Sequence, residues 1–373
     1  MKIKISQKII MEHLNYVIKG ISNKNIIPIL NCIKFELEEE GLYLSSTDNE
    51  IAIKTFIDKK YIENIEECGQ IVVSGRYIYD IIRKLPNEII NIECVMNEKI
   101  FITTNNSSFN LNCNKTEDFP NLELNDNKNP IILNQQVFKN IVNQTVFAAS
   151  TQESRPALRG INIKINGKTL ECTATDTYRL AKKIIEINNE SKEELDIIIP
   201  TRNINELIKL LDNDDENIEL HIFNNKVIFK FNTIIMMSKI INGTYPDISK
   251  LIPNEFKYTM HVNYQEFFSA IDRASLLTNE VSKNTIKLES ETNKIILSCN
   301  IPEIGNVKEV VNLSNELDEN LKIAFSSKYM MDALKAINSD EIELLFNGEV
   351  KPIIIKNIED NSLIQLILPI RIY

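Results

Sequence analysis

The chain has 373 residues, of which 43% are hydrophobic and 25% charged, with a formal net charge of -10. That length exceeds one ordinary core and suits two or three domains, and the composition excludes wholesale disorder. The acidic surplus argues against nonspecific clinging to nucleic acid or anionic membrane, but it does not say where the positive charges sit.

MKIKISQKII reads as strand then helix, with no signal-peptide region or cleavage site. The first helix is predicted over SQKIIMEHLNYVI, from Ser6. FELEEEGLYLSS follows as a hairpin, and Asp48 in Ser-Thr-Asp is expected to fix a turn through backbone hydrogen bonds. RYIYDIIRKL, from Arg76, is a second helix, and KIFITTNNSSFNLNC another hairpin. Phe119-Pro120-Asn121 closes this stretch, and a polar hinge runs from Asn125 to Pro130. The order then starts again. A helix opens NQQVFKNIVNQTVF at Asn134, then come the hairpin INIKINGKTLECTAT, Asp176 in Ala-Thr-Asp, and the helix RNINELIKLL from Arg202. ELHIFNNKVIFKF and Tyr245-Pro246-Asp247 complete the second round, before a hinge at Pro253 to Lys257. The third round brings NYQEFFSAIDRASLL from Asn263, TIKLESETNKIILSC, KYMMDALKAI from Lys328 and EIELLFNGEVKPIIIK. Ser6, Asn134 and Asn263 are good N-cap residues for the first helix of each round.

The chain is therefore one unit made three times. Arg76, Arg202 and Lys328 lie 126 residues apart, and so do Asp80, Glu206 and Asp332, and Arg83, Lys209 and Lys335. In each helix an acid follows the first cation by four residues, and a second cation follows three later. Apolar residues such as Ile78 and Ile82 fall on another side. Domains are expected at 1–126, 127–253 and 254–373, each with two helices on antiparallel strands, an α+β fold.

Positive charge has been sorted onto this element. Arg76, Arg83, Lys84, Arg202, Lys209, Lys328 and Lys335 outnumber Asp80, Glu206 and Asp332, giving +4 and leaving -14 for the rest. Lys8, Lys19, Lys139 and Arg273 add to it from the first helices, partly cancelled by Glu12, Glu266 and Asp272. Duplication for stability alone gives no reason for such sorting. Cations at repeated positions suit a weak, sequence-blind contact with a polyanion. No zinc-finger spacing, basic region with a zipper, or interleaved aromatic platform supplies base reading.

Catalytic motifs are missing. There is no GxxxxGK[ST], no GxGxxG after a strand and no GxSxG elbow. His13, His221 and His261 are isolated, and Asp212, Asp214, Asp215 and Glu216 read as a solvated loop. No catalytic residue, metal or cofactor is expected. The six cysteines form no CxxC pair and read as reduced, mostly buried thiols of a cytoplasmic protein. No apolar run reaches membrane-spanning length.

Ordered stretches along the whole chain resemble the bacterial DNA polymerase III beta subunit family, the sliding clamps. They include KNIIPILNCI from Lys24, SSTDNEIAI from Ser45, EDFPNL from Glu117, SRPALRG from Ser154 and ATDTYRLA from Ala174. NGTYPDISKLIP from Asn242, RASLLTNE from Arg273, YMMDALKAI from Tyr329 and the final LILPIRIY continue the series. The resemblance implies a DNA-clamp fold whose two subunits join head to tail in a ring. Helices line the hole, and duplex DNA passes through without sequence preference. It implies a non-catalytic subunit of the polymerase III holoenzyme that tethers the replicative polymerase and is opened by a clamp loader. Lys24 stands where the family often has an arginine that contacts DNA.

The resemblance also implies a pocket for short linear motifs of the polymerase, the loader and repair proteins. Leu158, Thr175, Thr177, Tyr178, Arg179 and Leu180 match one part of it, and Pro246, Lys250 and Leu251 a second. Leu366, Leu368, Pro369, Ile370 and Arg371 match the third. Leucines and prolines make the apolar socket, and Arg179 and Arg371 are expected to meet a partner's polar groups. Thr177 replaces a frequent glycine and Tyr178 a frequent histidine. Phe109 and Leu111, with Leu276 and Leu277, match the subunit junction, whose acidic side holds Glu303 and Glu309. Two other classes are distinguishable: a metal-dependent nuclease, which needs converging carboxylates, and a monomeric peptide-binding scaffold.

Overall fold

The computed structural model describes residues 1–22, 26–96, 98–125, 127–188, 194–212, 215–279, 284–302 and 304–371. Lys24, Asp126, Asp214 and Glu303 lie outside the described residues. The helices α1 (Gln7–Val17), α2 (Gly75–Lys84), α3 (Gln135–Asn143), α4 (Thr201–Ile208), α5 (Tyr264–Ser275) and α6 (Ser327–Lys335) stand where the repeated patterns fall. Their periodicity is used as expected: α2 buries Ile78 and Ile82 completely while Arg76, Arg83 and Lys84 stay exposed. Each such isoleucine contributes roughly 1.5–3 kcal/mol. Gly75, at the start of α2, packs so close to Ile21 that a Cβ would run into its side chain.

Capping departs from expectation at one helix. Asn263 Oδ1 accepts the Glu266 N–H at 3.0 Å, but Ser6 makes no side-chain cap. There the strand Lys2–Ser6 runs straight into α1, and the Gln7 N–H is satisfied by the Glu88 carbonyl at 2.9 Å.

Contacts gather the chain into two compact units, Met1–Gln136 with Arg202–Ile240, and Val137–Thr201 with Ile241–Tyr373. The middle repeat contributes to both. In the first unit a 13-stranded sheet carries Asn217–Ile222, Lys226–Phe231 and Ile234–Lys239 of the middle repeat beside Ile51–Asp58 of the first. The joint is antiparallel, with Ile53 opposite Met236. In the second unit an 8-stranded sheet joins Arg179–Glu186 to Leu363–Ile367, with Leu180 opposite Leu366. A 4-stranded sheet in the same unit runs in the order Gly305–Asn312, Lys294–Ile301, Thr285–Glu291 and Lys322–Ser326.

These joints follow the repeat. Ile51–Asp58 recurs 128 residues on as Arg179–Glu186 (51 to 179) and 126 further as Gly305–Asn312 (179 to 305). The first two copies each pair with a strand of the next repeat. The third is a sheet edge, open on its outer side among the described residues. The partner strands also recur, each following a hairpin strand: Ile234–Lys239, Leu363–Ile367 and, in the first repeat, Ser108–Asn114. Ser108–Asn114 pairs with Lys99–Thr103 on one side, and on the other only its last residues meet Val72 and Val73. The molecule thus carries two joined strand pairs and one strand of each kind left open.

Burial decides the state of His13. His13 Nδ1 lies 2.8 Å from Thr55 Oγ1, and burial pushes the imidazole below its ordinary 6.5. The unfolded chain therefore takes up a proton near that pH that the folded chain refuses. Stability from neutral His13 is complete above 6.5 and is lost as pH falls below it toward the folded value. Urea unfolding at stepped pH is expected to show this loss, and His13→Gln to reduce it. An identical pH slope in the variant would assign the loss to other groups.

Candidate nucleic-acid interface

The three second helices place their cations where the pattern predicts, on the side away from the buried residues. α4 buries Ile204 and Leu207, and α6 buries Met330, Ala333 and Leu334. Arg76, Arg83, Lys84, Arg202, Lys209, Lys328 and Lys335 are all exposed. Lys139, on α3, is half-buried.

Several of these charges have protein partners. Arg83 pairs with Asp80 at 2.8 Å and Lys209 with Glu206 at 2.8 Å, each within its own helix. Arg202 reaches Asp48 at 2.5 Å, a carboxylate whose side chain is 1% exposed. Lys19 donates to the Lys209 carbonyl at 3.0 Å, so its charge serves the C-terminal end of α4. Arg273, another candidate for DNA contact, forks onto Glu309, Nε at 3.1 Å and Nη2 at 2.6 Å. The pair is bidentate, and Arg273 holds the Glu309 carboxyl below its usual range. The expected DNA contact and the expected acidic junction residue are one ion pair.

Asp48 and Asp176 fix turns as predicted. Asp48 Oδ1 accepts the N–H groups of Glu50 and Ile51 at 3.0 and 2.9 Å. Asp176 Oδ1 accepts those of Tyr178 and Arg179, both at 2.9 Å. Both turns need a left-handed residue next: Asn49 has φ 73° and Thr177 φ 79°. Asparagine tolerates this region, whereas a β-branched threonine is strained there. Thr177→Gly is expected to raise stability by about 1 kcal/mol, read as a higher urea midpoint. A lower midpoint would show that the turn is not strained.

The residues predicted to line a partner pocket all fall within the second unit. Leu180 and Leu366 are buried with Ile248, Leu345 and Ile354. Leu158 is buried with Ile198 and Tyr245, and the Tyr245 hydroxyl accepts the Thr175 N–H at 2.9 Å. The Leu368 N–H bonds the Tyr178 carbonyl at 2.8 Å. Around this floor Tyr178, Leu251 and Leu368 are 56%, 49% and 37% exposed, so apolar surface is left open to solvent. Thr177, Pro246 and Lys250 are exposed and Pro369 is half-buried.

Two expectations for this pocket change. Arg179 is not available to a partner. Its guanidinium contacts Asp176 at 3.1 Å and Asp332 at 2.6 Å, and its side chain is 11% exposed. Ile370 and Arg371 turn toward the strand Lys322–Ser326, where the Ile370 N–H bonds the Ala324 carbonyl at 2.7 Å and both residues line a separate hollow.

On the open strand Ser108–Asn114, Phe109 is 40% exposed and Leu111 half-buried, and just after α5 Leu276 is 79% exposed and Leu277 half-buried. Among the described residues, no group of three or more His, Cys, Asp or Glu converges as a metal site requires. No helix of the described residues is long and apolar enough to cross a membrane.

Paired helices on antiparallel sheets, repeated three times with strands joined across repeat borders, define a three-repeat clamp fold. Residues 1–123, 132–247 and 249–371 match the N-terminal, central and C-terminal domains of the DNA polymerase III beta subunit. The chain is 41% identical to the beta sliding clamp of Staphylococcus epidermidis and 40% to that of Staphylococcus aureus, covering all of both. The sliding clamp of Bacillus subtilis superposes with a TM-score of 0.97 at 36% identity over 100% of each chain. The beta chain from Streptococcus pneumoniae gives 0.95 at 30%, again over 100% of each. The chain belongs to the DNA polymerase III beta-subunit family, the beta sliding clamps. Members of this family are non-catalytic processivity factors of DNA replication.

Proposed function

We propose that two copies of this chain join head to tail into a ring that encircles duplex DNA and tethers the replicative polymerase. The observation that carries this reading is the pair of open strands. Ile51–Asp58 and Arg179–Glu186 each take a partner from the next repeat, while their third counterpart, Gly305–Asn312, has an open edge. Ser108–Asn114, the remaining strand of the complementary kind, is also open over most of its length. A second copy satisfies both edges by repeating the joint already made twice. The six repeats of such a ring correspond to domains at 1–126, 127–253 and 254–373 of each chain. Phe109, Leu111, Leu276 and Leu277 then lie at the subunit junctions beside the Arg273–Glu309 pair.

In this reading the cations of α2, α4 and α6 face the duplex. Their contact is sequence-independent, since phosphates ask only for charge, and the topological link holds the ring on DNA without tight binding. The pocket around Leu158, Leu180, Leu251, Leu366 and Leu368 receives short motifs of the polymerase, the clamp loader and repair proteins. The ring acts in the cytoplasm. The test is retention after loading onto nicked circular DNA. The ring should stay on the circle and be lost when the same DNA is cut to a linear form. Equal loss from both would contradict encirclement.

A further inference from the structure

The three second helices share one row of charges, yet their acids are used differently. In α2 Asp80 pairs with Arg83, and in α4 Glu206 pairs with Lys209, each at 2.8 Å. Each acid therefore offsets the last cation of its own row. α6 repeats the spacing with Asp332 and Lys335, but that pair is not formed. Asp332 Oδ2 is held by Arg179 Nη1 at 2.6 Å. Among the described residues, neither Lys328 nor Lys335 has an ion-pair partner. α6 alone thus keeps both lysines of its row uncompensated.

Arg179 is fixed firmly for this task. Its Nε donates to Asp176 Oδ2 at 3.1 Å, and its guanidinium lies 4.6 Å from the Tyr329 ring and 5.5 Å from the Phe147 ring. Asp176 also holds the turn through Thr177 and Tyr178, and Tyr178 ties down Leu368. One guanidinium therefore joins the exposed turn of the partner pocket to α6.

We propose that Arg179 is a positioning residue for DNA contact: by holding Asp332 it keeps Lys328 and Lys335 open to phosphate. This inference rests on the clamp reading above. Without Arg179, Asp332 is three residues from Lys335 and four from Lys328, the spacings at which helical ion pairs form. One phosphate contact per chain is then offset. A partner that displaces the Thr177–Tyr178 turn disturbs Asp176 and, through Arg179, Asp332, so motif binding and DNA binding alter each other by an equal factor.

The test compares the full-length wild type with Arg179→Gln, Asp332→Asn and the double variant. Each is titrated with a short end-labelled duplex over a salt series, and fluorescence anisotropy reads the binding constant. The slope of log K against log salt is expected to be shallower in Arg179→Gln by about 0.9 per chain. The double variant is expected to recover the wild-type slope, because the freed acid is gone. Asp332→Asn alone is expected to match the wild type or exceed it. An unchanged slope in Arg179→Gln, or a double variant as shallow as Arg179→Gln, would overturn the proposal. So would a shallower slope in Asp332→Asn, which decides the matter if Arg179→Gln does not fold. A wild type that binds the duplex with no salt dependence would contradict the cation–phosphate contact of the clamp reading, while encirclement is decided separately by retention on circular DNA.

Discussion

Lys308→Pro is expected to leave the 4-stranded sheet folded and to convert the two-chain assembly into single chains. The reason lies in the parity of the edge strand. The Leu313 N–H bonds the Asn293 carbonyl, and the register of Lys294–Ile301 with Gly305–Asn312 extends that pattern to Val311, Glu309 and Val307. Their backbone groups face into the sheet, whereas those of Asn306, Lys308 and Val310 point out of the open edge. Proline at 308 therefore removes an outward N–H and adds a ring where a second strand must approach, while the inner ladder is kept. The loss is on the order of 1–3 kcal/mol at each junction. A ring has two junctions, so its dissociation constant is expected to rise at least about thirtyfold. Native mass at fixed concentration reads the change, and Lys308→Ala controls for the lost charge. A Lys308→Pro protein that stays at two chains would show that this edge is not the junction.

Asp48→Ala is expected to cost about 1–3 kcal/mol of stability, the range for leaving buried donors without their acceptor. The carboxylate is 1% exposed and does two things at once. Oδ1 accepts two backbone N–H groups and Oδ2 neutralises Arg202. Alanine leaves both N–H groups without their acceptor and Arg202 without its counter-charge. Asp48→Asn keeps one acceptor oxygen and is expected to lose less. Urea unfolding followed by circular dichroism measures both. A loss under 1 kcal/mol for alanine would mean that water replaces the carboxylate freely and that the turn is not held from inside.

The helices were legible because their signal is local. Apolar residues and charges recur within ten positions, and the same window returns 126 residues later. The hairpins were legible for the same reason. Asp48 and Asp176 could be read as turn residues since their acceptors bond residues two and three positions on. The other end of each carboxylate was not legible. Asp48 finds Arg202, and Arg179 leaves its own turn to reach Asp332, 153 residues away. Nothing in a sequence window reports such a meeting, because strand pairing between repeats brings it about. Helical spacing alone would pair Asp332 with Lys328 or Lys335, but the longer-range guanidinium prevails. The Arg273–Glu309 fork was hidden in the same way, across 36 positions. The proposed partner pocket rests on resemblance. Its leucines alone are indistinguishable from core, and only their exposure separates Leu251 and Leu368 from Leu180 and Leu366.

Whether two chains close on each other is read from the native mass of the pure protein across a dilution series without DNA. A species of two chains, each of 42.9 kDa, is expected to persist on dilution. A single chain at every concentration would contradict a stable ring. It would leave the open edges at Ser108–Asn114 and Gly305–Asn312 to some other partner.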